Sequence, residues 1–168
     1  LLLVGLAQAF DRRSWHGTNL NGSVRGLTVE PAAWRPRPGR HNIWELIVHT
    51  AYWKYAVLRR LTGSERGSFP LGGSNWFERP LPDALTPRAL AADIQLLRST
   101  HKALLAAVGA FDARRLDERP PGGKVSYRDL IVGVAAHDLY HAGQIQLLKR
   151  LHADRAPERA PRRGRATR

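Results

Sequence analysis

The chain has 168 residues, 43% of them apolar, which is enough for one domain with a hydrophobic core. It contains no cysteine, which excludes disulfides, thiolate metal ligands and a cysteine nucleophile. Any metal site must therefore use nitrogen and oxygen ligands. Because 27 lysines and arginines outnumber 14 aspartates and glutamates, the formal net charge is +13.

No apolar segment approaches the ~20 residues that a membrane-spanning helix needs, so no membrane association is expected. The opening segment, residues 1–7, is short and has no basic residue before it, which makes it a poor signal peptide. The sequence starts without methionine and therefore does not define what precedes it. A cysteine-free composition is compatible with the cytoplasm, which is the location we expect.

The first predicted helix spans residues 2–27. Its apolar residues recur every three or four positions and so share one helix face: Leu3, Leu6, Phe10, Leu20, Val24 and Leu27. Between Phe10 and Leu20 the same face carries Arg13, Ser14 and Gly17, where large apolar side chains are expected. Either the helix continues and leaves a cavity beside these residues, or it breaks at Gly17.

The second predicted helix begins at Asn42, after a proline-rich linker over residues 30–41. Asn42 is a favourable N-cap, and Glu45 completes a capping box three residues later. Gly63 provides a C-terminal stop. The predicted buried face contains Ile43, Leu46, His49, Trp53 and Val57.

A long irregular connection over residues 63–85 precedes the third helix. Connections of this length inside a domain are often functional, and we expect Trp76 and Phe77 to fold back over the bundle. The third helix begins with Thr86 as N-cap and Pro87 as its first residue. Its apolar face contains Leu90, Ile94, Leu97, His101, Leu104, Val108 and Phe111.

The fourth helix begins at Ser126, where Asp129 completes another capping box. Its apolar face contains Leu130, Val134, His137, His141, Gln144, Leu148 and Leu151. Four amphipathic helices predict an all-α fold, a four-helix bundle over residues 1–151 whose long connections permit a crossover.

Residues 152–168 form a basic tail, which we expect to be solvated and disordered. No aromatic residue is interleaved there to stack on bases. We therefore expect the tail to aid solubility, and expect no specific nucleic-acid binding. Non-specific contact with nucleic acid or an acidic membrane is the alternative.

Two histidines on the fourth helix indicate a metal site. His137 and His141 are four residues apart, so both imidazoles project from one helix face. This face is apolar, and buried imidazoles need hydrogen-bond partners or a metal ion. His49 lies on the apolar face of the second helix, where it can meet them in one layer. Three neutral imidazoles with an open fourth position are typical of catalytic zinc sites, although nickel, iron and manganese also accept these ligands.

Six residues are candidates for the wall of a pocket: Ser14, His16, Asn21, Trp53, Trp76 and Gln144. For His16, simple exposure is an equal alternative. His101 is either a fourth ligand, an acid–base group or, the favoured alternative, a half-buried histidine at the bundle edge. Asp138 is expected at the surface, with a hydrogen bond to a histidine as the alternative. His41 and His152 receive no role.

The residues around the histidines resemble a known family. The run HDLYHAGQI over residues 137–145 is similar to the last-helix motif of the DinB/YfiT-like metalloproteins. WRPRPG at residues 34–39, followed by IWELIVH at residues 43–49, resembles the start of that family's second helix. The resemblance covers most of residues 1–151. It implies a four-helix bundle with a crossed connection, often a homodimer, that binds a divalent ion, commonly zinc or nickel, through His49, His137 and His141.

Some members of that family are transferases or isomerases that use a low-molecular-weight thiol. We therefore expect a metal-dependent thiol S-transferase or hydrolase acting on a small molecule. The metal would act as a Lewis acid or lower the pKa of a bound thiol or water, and the cationic chain would favour an anionic thiol. The alternative is a metal or small-ligand sensor without catalysis. Nucleic-acid binding, suggested only by charge, ranks last.

Overall fold

The computed structural model describes residues 1–155, in which six α-helices and no β-strand occur. The helices are α1 (Leu2–Phe10), α2 (Leu20–Ser23), α3 (Val29–Ala33), α4 (Ile43–Thr62), α5 (Pro87–Ala110) and α6 (Tyr127–Ala153). The predicted all-α fold is confirmed. No helix in this part of the chain is long and apolar enough to span a membrane. The last helix includes His152 and Ala153, so it enters the predicted tail, whose residues 156–168 lie outside the described residues.

Local capping interactions start α4 and α6 where the sequence predicts. Asn42 and Ser126 each accept a hydrogen bond from the third backbone N–H of their helix, and Glu45 and Asp129 accept one in return. α4 ends at Gly63, whose φ of 71° lies in the left-handed region that favours glycine. These helix ends are set by short-range hydrogen bonding, which explains why the sequence locates them well.

The first helix is far shorter than the predicted 2–27. α1 ends at Phe10, and Arg13 and Ser14 lie in a loop. Gly17, in the same loop, has a φ of 95°, which a right-handed helix cannot contain. The prediction of a continuous first helix is therefore wrong. The alternative of a break is confirmed, although the helix already ends at Phe10 and not at Gly17.

Helices α1, α4, α5 and α6 form the bundle. α4 packs against α5 and α6, and α1 packs against the same two helices, so α1 and α4 occupy diagonal corners, as do α5 and α6. The connection over residues 11–42 therefore crosses the bundle, and so does the one over residues 111–126. The predicted crossover is confirmed, although the connection after α4 joins neighbouring helices instead.

A polar layer divides the hydrophobic core into two clusters along α4, α5 and α6. One cluster includes Trp44, Ile47, Leu97 and Ile145, and the other includes Val57, Leu104, Val108 and Ile131. Between them α4 contributes Lys54, α5 contributes His101 and α6 contributes Asp138, none more than 2% exposed. Buried charges need partners, and Lys54 forms an ion pair with Asp138. The expected surface position of Asp138 is therefore wrong, because α6 packs against α1 as well as α4 and buries a wider arc.

His101 is also more deeply buried than predicted. Its ring stacks on Phe10, with centroids 3.7 Å apart, rather than lying half-buried at the bundle edge. Burial, with a smaller contribution from the Lys54 charge, lowers the pKa of His101 to about 3, so the imidazole is neutral. Neither ring nitrogen has a hydrogen-bond partner among the described residues. His101 therefore packs as part of the core.

Candidate metal centre

Three imidazoles from two helices converge in the bundle. His137 Nε2 lies 3.1 Å from His49 Nε2 and 3.0 Å from His141 Nε2. One nitrogen of each ring lies within 4.8 Å of the other two. Two nitrogens bound to one tetrahedral zinc ion, each about 2.0–2.1 Å from the metal, are about 3.3 Å apart. The observed spacing therefore fits three ligands of one divalent ion. We call these residues the histidine group.

Hydrogen bonds to oxygen orient two of the rings. His49 Nδ1 lies 2.8 Å from the carbonyl oxygen of Asn75, and His141 Nδ1 lies 2.7 Å from Gln144 Oε1. Because a carbonyl oxygen only accepts, both Nδ1 atoms are assigned as donors, and both Nε2 atoms present lone pairs to the shared point. His137 Nδ1 is buried and has no partner among the described residues. Hydrogen bonds such as those of His49 and His141 to oxygen orient histidines in metal sites.

Burial keeps the histidine group uncharged. Loss of solvent, together with smaller contributions from His141, His49 and Lys54, lowers the pKa of His137 to about 3. Loss of solvent also lowers the pKa of His141 to about 4 and shifts the pKa of His49 downward. Neutral imidazole is the form that binds a metal ion. Protons therefore compete little with a metal at neutral pH.

Trp76 folds back over the bundle, as predicted, and there it covers the histidine group. Its indole stacks on His49, with centroids 3.8 Å apart, and on His41 from the other side at 3.6 Å. Trp53 meets the His49 ring edge-on and donates its indole N–H to Asn75 Oδ1. Since the Asn75 carbonyl also accepts from His49, the connection between α4 and α5 forms one side of the centre.

A cleft of about 520 Å³ opens beside the histidine group. Trp76, His41, His141 and Gln144 line it, as does Arg37. Small-molecule sites commonly have volumes of about 300–1,000 Å³. The group and the cleft therefore form one candidate functional site.

A family model described as the DinB superfamily matches residues 13–145, which include the whole histidine group. The chain belongs to the DinB superfamily. The resemblance found in the sequence is thereby confirmed, and the buried histidines are a group that could hold a metal ion in this DinB protein. No curated protein and no solved structure matches the chain significantly.

Three of the predicted pocket residues lie at this DinB site. Trp76 and Gln144 line the cleft, and Gln144 also orients His141. Trp53 contacts the histidine group but is 37% exposed, so its predicted place on the buried face of the second helix is wrong. Its N–H bond to Asn75 explains why the indole turns toward the long connection.

The other three predicted pocket residues do not line the cleft. Ser14 Oγ and His16 Nε2 lie 2.8 Å apart in the loop after α1, where His16 is exposed. Asn21 Oδ1 accepts a hydrogen bond from Arg98 on α5. A continuous first helix was expected to bring these residues beside a cavity, and the break after Phe10 removes that reason.

His41 is a site residue that the sequence analysis missed. Its Nδ1 lies 3.0 Å from Glu45 Oε2, and Arg35 binds both oxygens of the same carboxylate at 2.8 and 2.5 Å. Burial would raise the pKa of the Glu45 carboxyl, but the bonds from Arg35 and His41 lower it overall. An ionised Glu45 favours a proton on His41 Nδ1 and leaves Nε2 as an acceptor. The available signal was a histidine four residues before a capping-box glutamate.

Proposed function

We propose that the chain is a metal-dependent enzyme, a thiol S-transferase or a hydrolase, that acts on a small molecule. His49, His137 and His141 would hold the ion. The observation that carries the proposal is that three neutral imidazoles, two with outward hydrogen bonds, converge beside a cleft. This donor set suits zinc or nickel first, and iron or manganese next. The ion would supply a Lewis acid and lower the pKa of a bound thiol or water.

His41 would accept the proton of the nucleophile. It lines the cleft, Glu45 holds its Nδ1, and Nε2 is assigned as the acceptor. A thiol or water in the cleft would transfer its proton to Nε2, while the bond from Nδ1 to Glu45 would hold the ring in place. Because the chain has no cysteine, a thiol nucleophile has to arrive as a low-molecular-weight cosubstrate.

Turnover by wild-type protein and by His41→Gln tests this proposal. Protein loaded with zinc or nickel is incubated with low-molecular-weight thiols and electrophiles, and separately with hydrolysable esters. Wild type is expected to turn over. His41→Gln is expected to lose about 10²-fold or more in rate at unchanged metal content, since general-base catalysis contributes that much. His16→Gln, in the loop after α1, is the matched control and should retain the rate.

A negative result in this assay has a definite meaning. Tight binding of the ion without turnover, for every thiol, electrophile, ester and metal, contradicts an enzyme. It supports the alternative of a metal or small-ligand sensor without catalysis.

A homodimer paired through α6 is the second part of the proposal. Between residues 131 and 138 the exposed positions of α6 carry no charge and do not line the cleft: Val132, Gly133 and Ala136. Two copies with a net charge of +13 repel each other, and this repulsion is weakest where the uncharged faces of the two copies meet. Small residues within this face let two helices approach closely.

The mass in solution tests the homodimer. Light scattering is expected to give twice the chain mass of 18.8 kDa. Ala136→Glu is expected to produce monomers, because it buries an unpaired charge at the interface. Ser99→Glu, a similar change at an exposed position on α5, should remain dimeric. A monomeric wild type contradicts this pairing.

A further inference from the structure

The cleft beside the histidine group combines cationic and apolar lining. Arg37 and Arg40 contribute positive charge to the lining, and Leu46, Leu147 and Leu148 contribute apolar surface. Within the described residues no aspartate or glutamate lines it. A cleft with positive groups and low-dielectric walls raises the local concentration of anions.

The two arginines have no acidic partner among the described residues, in contrast to Arg35, which is bound to Glu45. The Arg40 N–H donates to the Arg37 carbonyl at 3.1 Å, so one turn carries both side chains. Arg35 donates to the Arg40 carbonyl at 2.6 Å and thereby ties this turn to α4. Guanidinium groups match the planar geometry of carboxylate and the oxygens of phosphate.

The apolar side of the cleft is incompletely packed. Leu147 and Tyr140 are both more than half exposed, although both line the cleft. The Tyr140 hydroxyl accepts a hydrogen bond from Gln144 Nε2 at 3.1 Å, which leaves the ring face available to a ligand. Covering such apolar surface stabilises a complex by about 25 cal/mol per Å².

We infer that this cleft binds a small organic anion with an apolar body. Its carboxylate or phosphate meets Arg37 and Arg40, its body lies along Leu147 and Tyr140, and a ligand there lies against His141. The assignment of this anion as the substrate rests on the proposed function. The preference of the cleft for an anion does not, and metal-free protein is enough to measure it.

Calorimetry with four eight-carbon probes tests the inference: octanoate, octyl phosphate, octanol and octylamine, each well below its micelle concentration. Metal-free and zinc-loaded protein are expected to bind one equivalent of octanoate or octyl phosphate, and neither octanol nor octylamine. The two anions distinguish a carboxylate site from a phosphate site. The double substitution Arg37→Gln and Arg40→Gln is expected to weaken binding at least ten-fold, since the charge-assisted bonds are lost.

A matched control separates this site from general attraction to a cationic protein. The double substitution Arg12→Gln and Arg88→Gln removes the same charge from exposed positions outside the cleft and should leave binding unchanged. Octylamine binding as tight as octanoate, or equal affinities of the two double variants, overturns the inference. If the protein binds octanoate but neither binds a metal ion nor turns over any substrate, the proposed enzyme is rejected and the anion-binding cleft is retained. Turnover that is unchanged in the Arg37 and Arg40 variant keeps the enzyme and rejects the anion as its substrate.

Discussion

His137→Ala is expected to abolish stoichiometric binding of zinc and nickel. His137 Nε2 lies 3.0–3.1 Å from the corresponding nitrogens of His141 and His49, so it is the central donor of the group. Without it an ion keeps two protein ligands, whereas catalytic zinc sites have three. We expect affinity to fall by more than about 100-fold, because removal of a supporting hydrogen-bond partner alone costs 10–100-fold. Elemental analysis after dialysis and calorimetric titration measure the loss.

Two further variants make this result specific. Gln144→Ala removes the acceptor for His141 Nδ1 but no ligand, so an intermediate loss of about 10–100-fold is expected. His16→Ala removes an exposed histidine and should retain full binding. Circular dichroism checks that all three variants keep their helices. Equal metal content in wild type and His137→Ala would place the ion elsewhere and remove the basis of the proposed function.

The fold could be predicted from the sequence wherever local chemistry defines it. Asn42 with Glu45, and Ser126 with Asp129, are hydrogen-bonded units within one turn, and α4 and α6 begin at them. The predicted length of the first helix was wrong for a different reason. Phe10, Leu20 and Val24 are buried in the structure too, and Leu27 partly so. Periodicity alone therefore cannot distinguish one long helix from short segments that pack in the same core.

The histidine group could be predicted because its spacing is informative. His137 and His141 share a helix face by their four-residue separation, and His49 lies on the apolar face of a helix whose start is clear. His41 could not be found in the same way, because its role depends on Arg35 and on Trp76 from a distant connection. Long-range contacts of this kind have no local signature.

Lys54 was missed for the same reason, and it leads to the second large expected effect. Lys54→Met or Asp138→Leu alone is expected to lower the free energy of unfolding by about 3–5 kcal/mol. Both side chains are fully buried, and Lys54 Nζ donates to Asp138 Oδ2. Either single substitution leaves one charge buried without its partner. Since small domains have only about 5–15 kcal/mol of stability, each variant lies close to unfolding. Urea denaturation of the metal-free protein measures the loss.

The double substitution Lys54→Met and Asp138→Leu is expected to restore most of that stability. Burial raises the pKa of Asp138 to about 6 although Lys54 opposes the shift, and burial lowers the pKa of Lys54. Both directions show that desolvation exceeds the attraction within the pair, so replacing both charges by apolar groups is close to neutral. Lys102→Met, at an exposed position on α5, is the control. Single variants as stable as wild type would contradict burial of the pair.

Because replacing both charges is expected to cost little stability, the effect of the pair is expected in the geometry of the site. Asp138 directly follows His137 on α6, and Lys54 lies on the turn after His49 on α4. A directional bond between these neighbours holds the two helices in one register, which apolar packing specifies less strictly. The double variant is therefore expected to unfold at nearly the wild-type urea concentration and yet to bind zinc more weakly. Calorimetric titration with zinc, at matched stability, separates the effect on metal binding from the effect on stability. If the double variant binds zinc as tightly as wild type, the packing of α4 against α6 alone positions the histidine group.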